Sequence, residues 1–172
     1  MLNNCVIYDD ERLRRTRWYL NDVLHHDTKP AETVYNIVNK HLVSEAWYTN
    51  GLRNSVDDNP AVTLFTIGNQ VTCQEWWQNN RLHRENNPAF IPYTTLGTPD
   101  LQNSEWWWRG ERLLPHQVRG YQLACDPATT PLTLRLLAES STTIIRLAAA
   151  RHPNCPLEIV GRVGLETVTL YT

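Results

Sequence analysis

The chain has 172 residues, is 41% hydrophobic and 20% charged, and carries a net charge of −2. That length and composition fit one compact domain or two small ones and exclude a disordered chain. The near-neutral balance excludes capture of nucleic acid or anionic membrane by bulk electrostatics, and no apolar run reaches the length of a membrane span.

Two further features of composition bear on setting. Seven Trp and seven Tyr stand against two Phe, a skew towards rings that combine apolar area with a polar handle. The four cysteines (Cys5, Cys73, Cys125, Cys155) are isolated, so neither a zinc site nor a disulfide framework is signalled. The N-terminal MLNNCVIYDDER has acids where a secretory signal carries bases and an apolar core, and a cytoplasmic protein with free thiols is expected.

In chain order, Cys5–Tyr8 opens as a strand and is followed by extended segments at Arg12–Leu20, His41–Thr49, Gln70–Gln78 and Leu101–Arg109. Return strands fall near Thr33–Val38, Val62–Ile67 and Phe90–Thr95. The organising signal is the recurrence of Trp18, Trp47 and Trp76 at a constant interval, with Trp107 two positions beyond where that interval would place the next. The third and fourth residues after each are read as a turn pair: Asn21-Asp22, Asn50-Gly51, Asn79-Asn80 and Gly110-Glu111. A second turn precedes each Trp, at Asp10-Glu11, Asn39-Lys40, Gly68-Asn69 and Pro99-Asp100. This predicts an antiparallel β-meander of about four irregular repeats over residues 1–122.

Strand alternation assigns Trp18, Trp47, Trp76 and Trp107 to one face, expected to be internal, and Tyr19, Tyr48, Trp77 and Trp108 to the other. With Trp106 sharing a face with Trp108, the second row is the expected anchor for a partner. His25 and His83 occupy matching repeat positions. They are read as backbone-bonding residues that fix the crease before Pro-Ala, against a metal-binding pair as the alternative. Asp27 and Glu85 read as partners for a neighbouring His or Arg, or as turn caps.

After residue 122 the pattern changes to helical spacing at Leu132–Glu139 and Thr142–Arg151, with a short helix near Leu157–Val163. Residues 165–172 alternate and are expected to form a closing strand. The whole is therefore α+β, with residues 123–172 as a small helical cap.

The segment Trp76-Trp77-Gln78-Asn79-Asn80-Arg81-Leu82-His83-Arg84-Glu85-Asn86-Asn87-Pro88-Ala89 resembles the W-x-x-N-G-x-x-H-R-x-x-G-P-A repeat of phage and large DNA-virus proteins, similar in style to MORN repeats. It departs at Asn87, where the family has Gly. The second repeat lacks the His, and the fourth keeps only its Trp strand and turn. Residues 138–163 resemble a leucine-rich-repeat variant, without the clustered thiolates that bind an iron–sulfur cluster in some members. Both resemblances imply scaffolds and no reaction; Trp18, Trp47, Trp76, Trp107, His25, His83 and Pro88 would be the repeat's structural residues.

No phosphate loop, H-E-x-x-H or Gly-x-Ser-x-Gly is present, and Pro153 stands between Cys155 and His152. No catalytic residue, metal ligand or cofactor is therefore assigned. The expected function is protein binding through Tyr19, Tyr48, Trp77, Trp106, Trp108, Arg14 and Arg15, as an inhibitor or adaptor of a host or phage complex such as a host-defence system. A virion component, which would form homo-oligomers, and a single-stranded nucleic-acid binder using the Arg12–Tyr19 strand are the alternatives.

Overall fold

A computed structural model describes residues 4–169, with side chains through Val163. It contains a β unit ending at Arg112 and a helical unit beginning at Leu113.

In the β unit, β1 (Asn4–Asp9) turns into β2 (Leu13–Leu20), followed by the two-residue β3 (Val23–Leu24). Next come β4 (Glu32–Asn36), β5 (Leu42–Ala46), β6 (Tyr48–Thr49) and β7 (Leu52–Arg53). The third group is β8 (Val62–Phe65), β9 (Val71–Glu75), β10 (Trp77–Gln78) and β11 (Arg81–Leu82). The last is β12 (Phe90–Pro92), β13 (Trp107–Trp108) and β14 (Glu111–Arg112). One antiparallel meander runs in the order β1-β2-β4-β5-β8-β9-β12, with β3 folded back on β2. Three small hairpins, β6–β7, β10–β11 and β13–β14, stand beside it.

The segments expected as single strands at His41–Thr49 and Gln70–Gln78 are each interrupted at the Trp, and the backbone there shows why. The N–H of Trp18, Trp47 and Trp76 donates across the sheet to the carbonyl of Ala31, Ala61 and Ala89, at 2.8, 2.7 and 2.8 Å. The carbonyl of the same Trp accepts from His25, Asn54 and His83, at 2.9, 3.3 and 2.9 Å. One residue thus passes the chain from the sheet to a hairpin, its N–H bonded to the sheet and its carbonyl to the hairpin's return. All three alanines are fully buried, so the Pro-Ala step of the repeat supplies a small residue and a carbonyl at the junction.

The hairpin turns carry paired positive φ angles: Asn21 and Asp22, Asn50 and Gly51, Asn79 and Asn80, then Arg109 and Gly110. This is the primed-turn geometry that a right-twisted two-residue hairpin needs. The fourth pair differs from the expected Gly110-Glu111, and the difference shifts the whole repeat by one residue. Gly51, Asn80 and Gly110 each donate to the preceding hairpin, to Leu24, Arg53 and Leu82 respectively. Trp106, not Trp107, is therefore the counterpart of Trp76, and the last interval exceeds the others by a single position. A one-residue slip exchanges faces, so Trp107 joins Trp77 while Trp108 takes the place of Gln78. The predicted strand Leu101–Arg109 is mostly turn. Asp100 accepts from the Asn103 N–H (3.2 Å) and bonds its side-chain amide (2.7 Å), and Ser104 Oγ donates to the Asp100 carbonyl (2.8 Å).

The helical unit has four helices: α1 (Pro115–Cys125), α2 (Pro131–Leu137), α3 (Thr143–Arg151) and α4 (Leu157–Thr169). Helix α1 is not among the expected elements, and it moves the division of the chain from residue 122 to 112. Its signals are local: Pro115 sits in the first turn, and Gln117 Oε1 accepts the Leu114 N–H at 2.8 Å. Helix α4 runs through residues 165–169, where alternation pointed to a strand; residues 170–172 of that expected strand lie outside the described residues. The core consists of Ala124, Leu134, Ala138, Ala149, Ile159 and Val163, each at most 3% exposed. These pair as Ala124 with Ala149, Leu134 with Ile159, and Ala138 with Val163, at one constant separation along the sequence. Buried His152 joins the copies, with Nε2 donating to the Asp126 carbonyl at 2.9 Å and Nδ1 accepting the Asn154 N–H at 3.0 Å. Among the described residues, no helix is long and apolar enough to cross a membrane.

Candidate functional site

The hairpins place one ring per repeat on a common side, opposite the hairpin's returning strand. Tyr19 lies across from Leu24, Tyr48 from Arg53, Trp77 from Leu82 and Trp107 from Arg112. All four rings are half-buried. Arg53 links two of them. Its Nε donates to Tyr48 Oη at 3.1 Å, while its guanidinium lies 5.8 Å from the Tyr48 ring centroid and 5.2 Å from that of Trp77. A cation held between two rings is pre-ordered and keeps a planar set of donors available.

Acids complete the ladder. Trp77 Nε1 donates to Glu75 at 2.8 Å, and Trp107 Nε1 to Glu105 at 2.9 Å, the carboxylate lying two residues before the ring in both repeats. Glu105 also pairs with Arg112 at 2.9 Å. In the first repeat Glu32 takes a 2.5 Å bond from Arg17 and lies 3.7 Å from Arg15 Nε. Cations and carboxylates thus alternate, and the face has little net charge of either sign.

Of the residues expected to meet a partner, Tyr19, Tyr48 and Trp77 are brought together, and Trp107 replaces Trp108. Trp108 is 8% exposed and packs edge-on against His83, with centroids 4.4 Å apart, so it belongs to the interior. Trp106 is half-buried at the position of Trp76. Arg14 projects away from Arg15 and is held by Asp9 through bonds of 2.9 and 2.8 Å. Arg14 and Arg15 therefore do not form one patch.

The expected internal row divides as well. Trp76 is 5% exposed, donates from Nε1 to the Asp58 carbonyl (2.8 Å), and lies 3.7 Å beneath the Arg84 guanidinium. Asp58 in turn fixes Arg84 by two bonds of 2.8 Å and is held below the ordinary carboxylate range by that hydrogen bond. Trp18 and Trp47 are half-buried; Lys29 Nζ stands 3.3 Å over the Trp18 ring. Trp107, expected in this row, instead packs from the neighbouring position onto the cluster of Trp76, Ala89 and Ile91.

His25 and His83 bond main-chain groups, expected before the Pro-Ala step and found in the turn of the next repeat. His25 Nδ1 accepts the Asn50 N–H at 3.1 Å, and its Nε2 bonds Asp27 at 2.8 Å. His83 Nδ1 accepts the Arg109 N–H at 3.3 Å. Burial holds His83 below the ordinary histidine value, Glu85 raising it and Arg109 lowering it further. In the second repeat Asn54 takes the histidine position, and the Ser55 hydroxyl instead accepts the Trp77 N–H at 3.0 Å. Pro88 is half-buried and directs its carbonyl to Arg84 (3.4 Å).

Two of the four thiols are held in the unreactive protonated form. Burial, aided by Glu75, pushes Cys73 up to about 11, and burial with Glu158 raises Cys155.

Sequence reasoning missed Arg53 and a second exposed feature. Arg53 stands one full repeat from Leu24 on one side and from Leu82 on the other, so the period itself marked it as the polar exception. At the opposite ends of the strands, Val38, Ile67 and Leu96 are 78, 77 and 85% exposed, and they recur with the same period. Compared with protein-family models, curated proteins and solved structures, the chain finds no match.

Proposed function

We propose that this is a non-catalytic binding protein that docks a protein partner on its hairpin face, acting as an inhibitor or adaptor. The observation that carries this reading is the Tyr48–Arg53–Trp77 stack. Trp, Tyr and Arg are the residue types that dominate binding energy at interfaces, and here they are ordered before any partner arrives. The paired charges around the stack favour a protein surface over a polyanion, since Arg14, Arg15 and Arg17 all have carboxylates beside them. The repeat style noted in the sequence adds the expectation of a phage or viral source and a host-defence complex as target.

Immobilised wild type is expected to retain a defined protein from a host-cell lysate, and Arg53→Ala combined with Trp77→Ala to lose it while keeping the wild-type circular dichroism. If the folded double variant retains the same protein, the hairpin face is not the docking site. Retention of labelled single-stranded oligonucleotide at low salt would turn the reading to nucleic acid.

A further inference from the structure

The two edges of the main sheet are finished differently. Beyond β12 the chain folds over the edge: Phe90 bridges Glu105, Tyr93 bridges Pro99, and Pro92 itself offers no N–H. At the other edge, nothing among the described residues pairs with the outer side of β1. All six of its residues are exposed, with Val6, Ile7 and Tyr8 at 37, 58 and 48%. The usual protections of an open edge are absent from this strand. It has no Lys, Pro or Gly, and its six-residue register with β2 is unbroken.

The hydrogen-bond phase of that edge is fixed by its turn. Asp10 N–H donates to the Leu13 carbonyl at 2.9 Å, and Asp9 lies opposite Arg14. Antiparallel alternation then directs the main-chain groups of Tyr8, Val6 and Asn4 towards β2, and those of Cys5, Ile7 and Asp9 outward. An incoming antiparallel strand must match outward groups with outward groups. A second β1 does so when Ile7 faces Ile7 across a twofold axis, with Cys5 opposite Asp9 on each side.

We propose that β1 pairs with β1 of a second copy of this chain in this register, joining two meanders into one continuous sheet. The side chains agree with it. Ile7 meets Ile7 on one face, and Val6 meets Tyr8 on the other, both apolar cross-strand pairs. The strand's one charge, Asp9, is neutralised by Arg14 of its own chain and lies opposite Cys5, away from its symmetry mate. The contact is isologous, so it closes at two copies and does not propagate. A six-residue strand pair is smaller than a standard interface, and the association is accordingly reversible in the micromolar range or weaker.

Sedimentation and light scattering over rising concentration are expected to show the mass climbing from 20.0 kDa towards twice that value. Ile7→Pro removes an outward N–H that β2 does not use, and Ile7→Lys places two ammonium groups on the axis. Both variants are expected to remain monomeric at concentrations where wild type is dimeric, with unchanged circular dichroism. The register has its own test, in a background with the exposed thiols Cys5 and Cys125 changed to Ser. There, Ile7→Cys is expected to oxidise to a covalent dimer and Val6→Cys is not. A wild type monomeric up to about millimolar concentration overturns the proposal, as does a folded Ile7→Lys that dimerises like wild type. Equal cross-linking at positions 6 and 7 overturns the register.

Discussion

His83 shows how one side chain joins two repeats. Its Nδ1 accepts a main-chain N–H from the next turn, which requires the neutral ring, and its burial against Trp108 disfavours the imidazolium. The folded-state value is depressed, so the unfolded chain takes up the proton first as the pH falls. The stabilisation is complete above the unfolded value of about 6.5 and is lost as pH drops through the folded value. Urea unfolding should therefore show wild type losing stability between pH 7.5 and 5, with His83→Asn flattening that slope. At pH 7.5 the substitution should cost about 1–2 kcal/mol for the lost bond and packing. An equal slope in the variant would assign the pH response to another group.

At the scale of the element, the hairpin turn is the demanding part. Gly51 has φ +80°, and a Cβ added there would stand 2.9 Å from Val23 Cγ1 of the preceding hairpin. Gly51→Ala should cost about 1–3 kcal/mol, combining backbone strain with the clash. Gly161→Ala in α4 meets nothing within 4 Å and should gain about 0.5–1 kcal/mol from helix propensity. Thermal melts of the two variants should move in opposite directions; a shared direction would contradict the local geometry. Turns of this kind were legible because Asn-Gly and Asn-Asn advertise positive φ. The fourth was not, because Arg109 adopts φ +50° in a position that Arg does not advertise, and three consecutive Trp offered two anchors for the alignment. That ambiguity moved Trp108 from interior to surface in the reading, while Tyr19, Tyr48 and Trp77 each pair across a hairpin, with Leu24, Arg53 and Leu82 respectively. Helix α1 was hidden by Gly120 at its centre. That glycine leaves room for Ile145, whose Cδ1 lies 3.0 Å from where a Cβ would stand, a long-range reason invisible from local propensity.

Across the molecule, the two units offer separate optical signals. All seven Trp fall before Arg112, whereas the four helices lie beyond it. Leu134 is fully buried among the alanines and aliphatics of the helical unit, and Leu134→Ala should cost about 2–5 kcal/mol there. A unit of this size has little stability to spare. The variant's ellipticity in the helical band is expected to melt well below the wild-type midpoint, while the Trp emission transition stays in place. A common shift of both signals would show that the units unfold as one.

The partner exchange at each Trp has a consequence for how such a chain lengthens. Each turn donates a main-chain N–H to the hairpin of its predecessor, and each hairpin presents a carbonyl to the turn of its successor, as Gly51 to Leu24, Asn80 to Arg53 and Gly110 to Leu82. Duplication of one full repeat, begun and ended at equivalent points, would renew that main-chain bond at the new junction. Each copy would add two strands, and so advance the hairpin face by about 10 Å. The array is in this sense a ruler graduated in tryptophans, whose span is set by copy number while its cross-section stays constant.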